Sequence, residues 1–127
     1  MRWDSALGIL NSAKGGQGKT MEAKHDTISK LRSFEALFQQ GYKSQVIDQA
    51  LNKLAGLELA KAKRELDDIE AKISEFEIRY NMQSEDFAQK FHAGLVDDSG
   101  DFMEWISFID IRSAILYRIQ SLANIGE

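Results

Sequence analysis

Between Leu59 and Tyr80 the chain carries a heptad repeat, and that repeat narrows the choice of fold more than any other feature. Leu59, Leu66, Ile73 and Tyr80 stand seven residues apart, and Ala62, Ile69 and Phe76 interleave at the same interval, filling the a and d positions of three heptads. The positions between them are charged: Lys61, Lys63, Arg64, Glu65, Asp67, Asp68, Glu70, Lys72, Glu75, Glu77 and Arg79. A helix with one narrow buried stripe and a solvated remainder has this pattern. The chain contains no proline, so nothing interrupts a helix drawn from a cap at Ser44 to Tyr80. Such an element is roughly 55 Å long at ~1.5 Å per residue, well beyond the width of a small domain. A second helix must cover its stripe, from the same chain or from a partner. The expected fold is therefore all-α: a long coiled-coil-like helix with shorter packing helices, in a helical dimer.

Upstream of Leu59 the apolar residues change phase. Ile47, Ala50, Leu51, Leu54 and Leu57 form a stripe out of register with the heptads, and Gly56 stands at the change, so the two halves should meet different neighbours. A first helix over 28–39 is marked by Ile28, Leu31, Phe34, Leu37 and Phe38, with Asp26 or Thr27 as its cap and Gly41 as its stop. Asn81 tolerates the left-handed conformation and should end the long helix, after which Ser84 caps a short helix that stops at Gly94. The cluster Asp97, Asp98, Ser99, Gly100 and Asp101 reads as a turn and cap. A last helix then starts at Phe102 and is long enough to lie antiparallel on the heptad half. The expected organisation is an N-terminal arm over 1–24, a helix-turn-helix-like dimerisation region over 25–58, and a coiled-coil and helical partner-binding region over 59–127.

Composition bounds the chemistry. There is no cysteine and only His25 and His92, which removes disulfides and thiol nucleophiles and makes a transition-metal site or other cofactor unexpected. No apolar run has the ~20 residues needed to span a bilayer, so a cytoplasmic protein with no membrane partner is expected. Residues 1–45 hold seven basic and four acidic residues, a net +3, and the remainder holds nine basic and sixteen acidic, a net −7. An electropositive front suits nucleic acid and an acidic body suits a basic partner; ordinary scatter of surface charge is the competing reading.

The string Ala13-Lys14-Gly15-Gly16-Gln17-Gly18-Lys19-Thr20 fits a phosphate-binding loop with Ala for the first Gly, of the deviant form found in partition-type ATPases. In such a loop Lys14 and Lys19 pair with phosphates and Thr20 holds magnesium. It needs a buried strand before it, for which only residues 6–10 are available. Asp97, Asp98 and Asp101 lack the alternating ligands of a calcium loop and are better read as helix-start acids. Trp105 lies at the centre of an apolar face, where it serves either the core or a partner.

Two blocks resemble known proteins. Leu37-Phe38-Gln39-Gln40-Gly41-Tyr42-Lys43-Ser44, continuing to Leu54, resembles the second-helix entry of ribbon-helix-helix antitoxins. Phe76-Glu77-Ile78-Arg79-Tyr80-Asn81-Met82-Gln83-Ser84-Glu85-Asp86-Phe87, followed by Gly94 and Asp101-Phe102-Met103-Glu104-Trp105, is similar to a C-terminal segment of antitoxin-like proteins from type II toxin–antitoxin loci. The resemblance begins after Met21, which makes Met21 an alternative start. It implies a non-catalytic protein, not an enzyme, that neutralises a cognate toxin, forms homo-oligomers and binds operator DNA. The residues it places against the toxin are Tyr80, Phe87, Phe91, Phe102 and Trp105. DNA contacts fall to Lys24, Lys30, Arg32 and Lys43, while Leu59, Ala62, Leu66, Ile69, Ile73 and Phe76 form the dimer or helix seam. A nucleotide-binding protein using Lys14, Lys19 and Thr20, and a plain coiled-coil scaffold, are the alternatives.

Overall fold

The computed structural model of the chain describes the backbone of residues 15–125 and the side chains of residues 25–125. The described residues are all helical apart from turns, in four helices: α1 Gly15–Gln39, α2 Gln45–Tyr80, α3 Ser84–His92 and α4 Gly100–Ile125. They fall into two compact units that divide between Ser44 and Gln45, so the whole of α2 belongs with α3 and α4.

In the first unit, α1 runs unbroken through Asp26 and Thr27, so neither residue starts a helix as the sequence suggested. Its end is as expected. Gly41 has φ +98°, and with that turn the Tyr42 N–H donates to the Leu37 carbonyl at 3.1 Å and the Gly41 N–H to the Phe38 carbonyl at 3.0 Å. These two bonds satisfy carbonyls that a helix end otherwise leaves open. Ile28, Leu31, Phe34 and Leu37 remain exposed along α1.

The second unit is a helical hairpin closed at one end by α3. Arg79 pairs with Asp101, and Glu65 pairs with Arg118, so α4 runs antiparallel to α2. Ala62, Ile69 and Ile73 of the heptad stripe pack with Ile115 of α4, flanked by Leu66, Phe108, Ile109 and Ile119. Phe76 joins a second cluster with Phe87, Trp105 and Ile106. The heptad stripe is therefore covered from within the chain. α2 ends at Asn81, whose φ is +50°; the Met82 N–H reaches the Glu77 carbonyl at 3.2 Å. α3 ends the same way at Gly94, φ +74°, with the Leu95 N–H on the Lys90 carbonyl at 2.8 Å. The three helix stops read from the sequence, Gly41, Asn81 and Gly94, are the three residues at positive φ among those described.

Candidate interaction surfaces

The antitoxin-like string around Ser84 is taken up by the fold itself. Ser84 does not cap α3 as its side-chain chemistry suggests: Gln83 occupies the cap position and makes no side-chain capping bond. A carboxylate from α2 takes that role, because the Ser84 N–H donates to Glu77 Oε2 at 2.9 Å. An anion at a helix start also faces the positive end of the helix dipole. Ser84 is thereby free to turn inward, where its Oγ accepts the Trp105 indole N–H at 3.0 Å. Both residues are buried, and this bond satisfies the indole donor of an otherwise aromatic core.

Around the indole the rings pack closely. Phe87 stacks on Trp105 at a centroid distance of 3.9 Å and an angle of 3°, and Phe76 and Tyr80 lie near-parallel to it at 5.7 and 5.9 Å. Phe102 meets Tyr80 edge-on at 5.0 Å, and Phe91 packs on Phe87 at 5.8 Å. Of the five residues expected to touch a toxin, Phe87 and Trp105 are thus 0 % exposed within this chain. The other three, Tyr80, Phe91 and Phe102, are half-buried in the same cluster. The structure brings all five together, but as a lock that joins α2, α3 and α4.

Polar contacts close the lock from outside. The Tyr80 hydroxyl and the Arg79 guanidinium, the latter at 2.9 Å, both donate to Asp101 Oδ2. The Tyr80 hydrogen bond first, and then Arg79, holds the Asp101 carboxyl below the ordinary carboxylate range. The same bond to Asp101 raises the Tyr80 phenol. Asp97 and Ser99 have local roles: Asp97 Oδ1 accepts the Ser99 N–H at 3.1 Å, and Ser99 Oγ accepts the Phe102 N–H at 3.3 Å, capping α4. Along the hairpin, Arg118 donates to Glu65 at 2.7 Å, which lowers the Glu65 carboxyl.

Sequence reasoning passed over Glu77 as surface charge and read Asp101 as a helix-start acid rather than as a partner of α2. Glu77 stands seven residues before Ser84, and only the turn at Asn81 brings the two together. It also passed over Ile78, which is 78 % exposed. Ile78 lines an open depression of about 550 Å³ with Ser74, Glu77, Asn81, Met82, Gln83 and Asp86. The lining of the depression sets two apolar side chains, Ile78 and Met82, among acids, amides and a hydroxyl.

At the front of the chain the expected DNA residues are spread along α1 and past its end. Arg32 and Lys43 are exposed, and Lys30 pairs with Asp26 at 3.0 Å; the Lys24 side chain lies outside the described residues. Lys14 and the strand sought over residues 6–10 also lie outside them. Gly15, Gly16, Gly18, Lys19 and Thr20 belong to the first turns of α1. The helical backbone differs from the loop expected there, because a helix does not present the wrapped backbone N–H groups that cradle phosphate. No group of three His, Asp or Glu residues among those described is placed to hold a metal ion, and no described helix is long and apolar enough to cross a membrane.

Comparison of the chain with protein-family models, with curated proteins and with solved structures finds no match.

Proposed function

We propose that this is a non-catalytic interaction protein, an antitoxin-like subunit that neutralises a cognate toxin in the cytoplasm, self-associates, and binds operator DNA through its basic front. One observation carries the binding reading. Large apolar side chains stand exposed on helix faces, Ile78 beside the closed lock and Leu51, Leu54 and Leu57 along the first half of α2, while the aromatic residues of the antitoxin-like string are spent inside. Exposed apolar side chains grouped on a helix face, rimmed by charge, mark protein interaction sites. The toxin surface in this reading is the depression around Ile78, whose rim carries Glu77 and Asp86, and it suits a basic partner. The antitoxin class itself rests on the resemblance of the 76–105 string.

Co-expression with the product of the neighbouring reading frame tests it, with growth rescue and co-purification as readouts. The parent chain should rescue growth, and Ile78→Asp should weaken the complex ~10-fold or more without loss of helicity, since it changes an exposed site. Failure of the parent chain to form any complex would sink the toxin reading. Replacement of Arg32 and Lys43 by Ala should lower the log–log salt slope of operator binding by about one unit per contact removed; an unchanged slope removes these residues from the DNA contact.

A further inference from the structure

The first turns of α2 hold a second heptad register that α4 does not use. Taking Ile47 and Leu54 as a positions makes Ala50 and Leu57 the d positions, and all four are apolar. Val46 and Lys53 then fall at g, and Leu51 and Glu58 at e. The next a and d positions are Lys61 and Arg64, so the register stops after two heptads. This face is turned by about 140° from the stripe that α4 covers, as the five residues from Leu54 to Leu59, or from Leu57 to Ala62, dictate at ~100° per residue.

Nothing in the α2–α4 hairpin covers it. The pairs Arg79 with Asp101 and Glu65 with Arg118 fix the antiparallel register, and carrying that register on places Ile125, the end of α4, opposite the Leu57–Glu58 turn. Val46 is 75 % exposed, and Leu54 and Leu57 are each 57 % exposed.

We propose that residues 46–58 of α2 associate with the same residues of a second copy of this chain as a short parallel two-stranded coiled coil. Charge complementarity selects the occupant and its direction. In a parallel pair each g residue faces the following e residue of the other helix, so Lys53 of each copy meets Glu58 of its mate, twice by symmetry. An antiparallel pair sets g beside g and e beside e, so Lys53 no longer meets Glu58 and both ion pairs are lost. Within the chain neither residue has an ion pair or side-chain hydrogen bond among the described residues. Ile47 at a and Leu57 at d match the choice that favours two strands, while the other a and d positions hold Leu54 and Ala50. Two heptads alone are too short to nucleate a helix in water, but here the packing of residues 62–76 on α4 already holds α2 helical, so association does not bear that cost.

The inference deepens the self-association named above and depends on no other part of that reading: a chain that dimerises this way but binds no toxin leaves it standing. Sedimentation equilibrium of the full chain should show a concentration-dependent dimer. Leu54→Lys should weaken it ~100-fold with helicity retained, because it buries a charge at the central a layer of an otherwise exposed face. Lys53→Glu should weaken it about threefold to tenfold, and adding Glu58→Lys should restore it. The chain has no cysteine, so Ala50→Cys and Leu57→Cys each create a single thiol. In the parallel pair each meets its own mate, and both variants should oxidise to disulfide-linked dimers, whereas an antiparallel pair permits this at one position at most. A chain that is monomeric at every concentration, a dimer indifferent to Leu54→Lys, or cross-linking at only one of the two positions overturns the proposal.

Discussion

The two halves of α2 are made of similar residues, yet they meet opposite fates. Over 59–80 the apolar stripe is shut against α4 and α3, with Ala62, Ile69, Ile73 and Phe76 buried. Over 46–57 Leu51, Leu54 and Leu57 stand in solvent and Ala55 alone is buried, although the helix runs through without a break. Helix propensity does not decide it, since both halves are helical and both carry Leu and Ala, although the first holds Lys53 alone and no Glu before Glu58. Coverage does: α4 is 26 residues long against 36 for α2, and it is anchored at the far end by the Trp105 lock. A long helix paired with a shorter one leaves an overhang, and the overhang is where surface remains for partners.

The comparison is broken most severely at the lock. Trp105→Ala should cost about 3–5 kcal/mol, the range for emptying a fully buried aromatic site, and should release α3 together with the stacked Phe87. Thermal unfolding followed by circular dichroism reads this; a melt like that of the parent would mean that the indole is not structural.

A smaller loss is expected at Ser84→Ala. The indole N–H would lose its acceptor inside the core, a penalty of about 1–3 kcal/mol, with no change in packing volume large enough to explain it. Urea melts of Ser84→Ala, Trp105→Phe and the double variant form a cycle. If the two effects simply add, the hydrogen bond is not what joins them.

In the open half the sign reverses. A Cβ placed on Gly56 meets nothing within 4 Å and the backbone there is helical, so Gly56→Ala should stabilise the chain by about 0.5–1 kcal/mol. A destabilised variant would show that residue 56 is closely approached in solution, and so that the overhang is covered.

The smallest effect is on pH dependence. Asp101 has its carboxyl lowered by Tyr80 and Arg79, so its contribution is full above the ordinary carboxylate range and is lost as pH falls through the lowered folded value. Tyr80 is raised, so its contribution is full below the unfolded phenol value and is lost as pH rises through the raised folded one. Asp101→Asn should flatten the acid limb of a plot of Tm against pH; an acid limb identical to the parent's would mean that the pair is not held in solution.

Much of the architecture was legible in the residues. The heptads marked the buried stripe, and Gly41, Asn81 and Gly94 marked the helix ends, because both signals are local: a period of side chains, and a backbone angle that few residues adopt. The return of the last helix followed from its length. Three things were not legible. The start of α1 was misplaced because Asp26 and Thr27 are as compatible with a helix interior as with a cap, and three glycines only weaken a helix rather than forbid it. The string around Ser84 reads equally well as a binding face or as a core, since aromatic spacing does not say whether the covering surface comes from within the chain. The partners of Glu77 and Asp101 depend on how the turn at Asn81 and the antiparallel return bring distant positions together. The sequence by itself thus determined which faces of these helices need covering, because that is a matter of period and polarity along one chain. Only the tertiary structure decided which faces the chain covers for itself and which it leaves to another molecule, because that depends on the relative lengths and register of helices far apart in sequence.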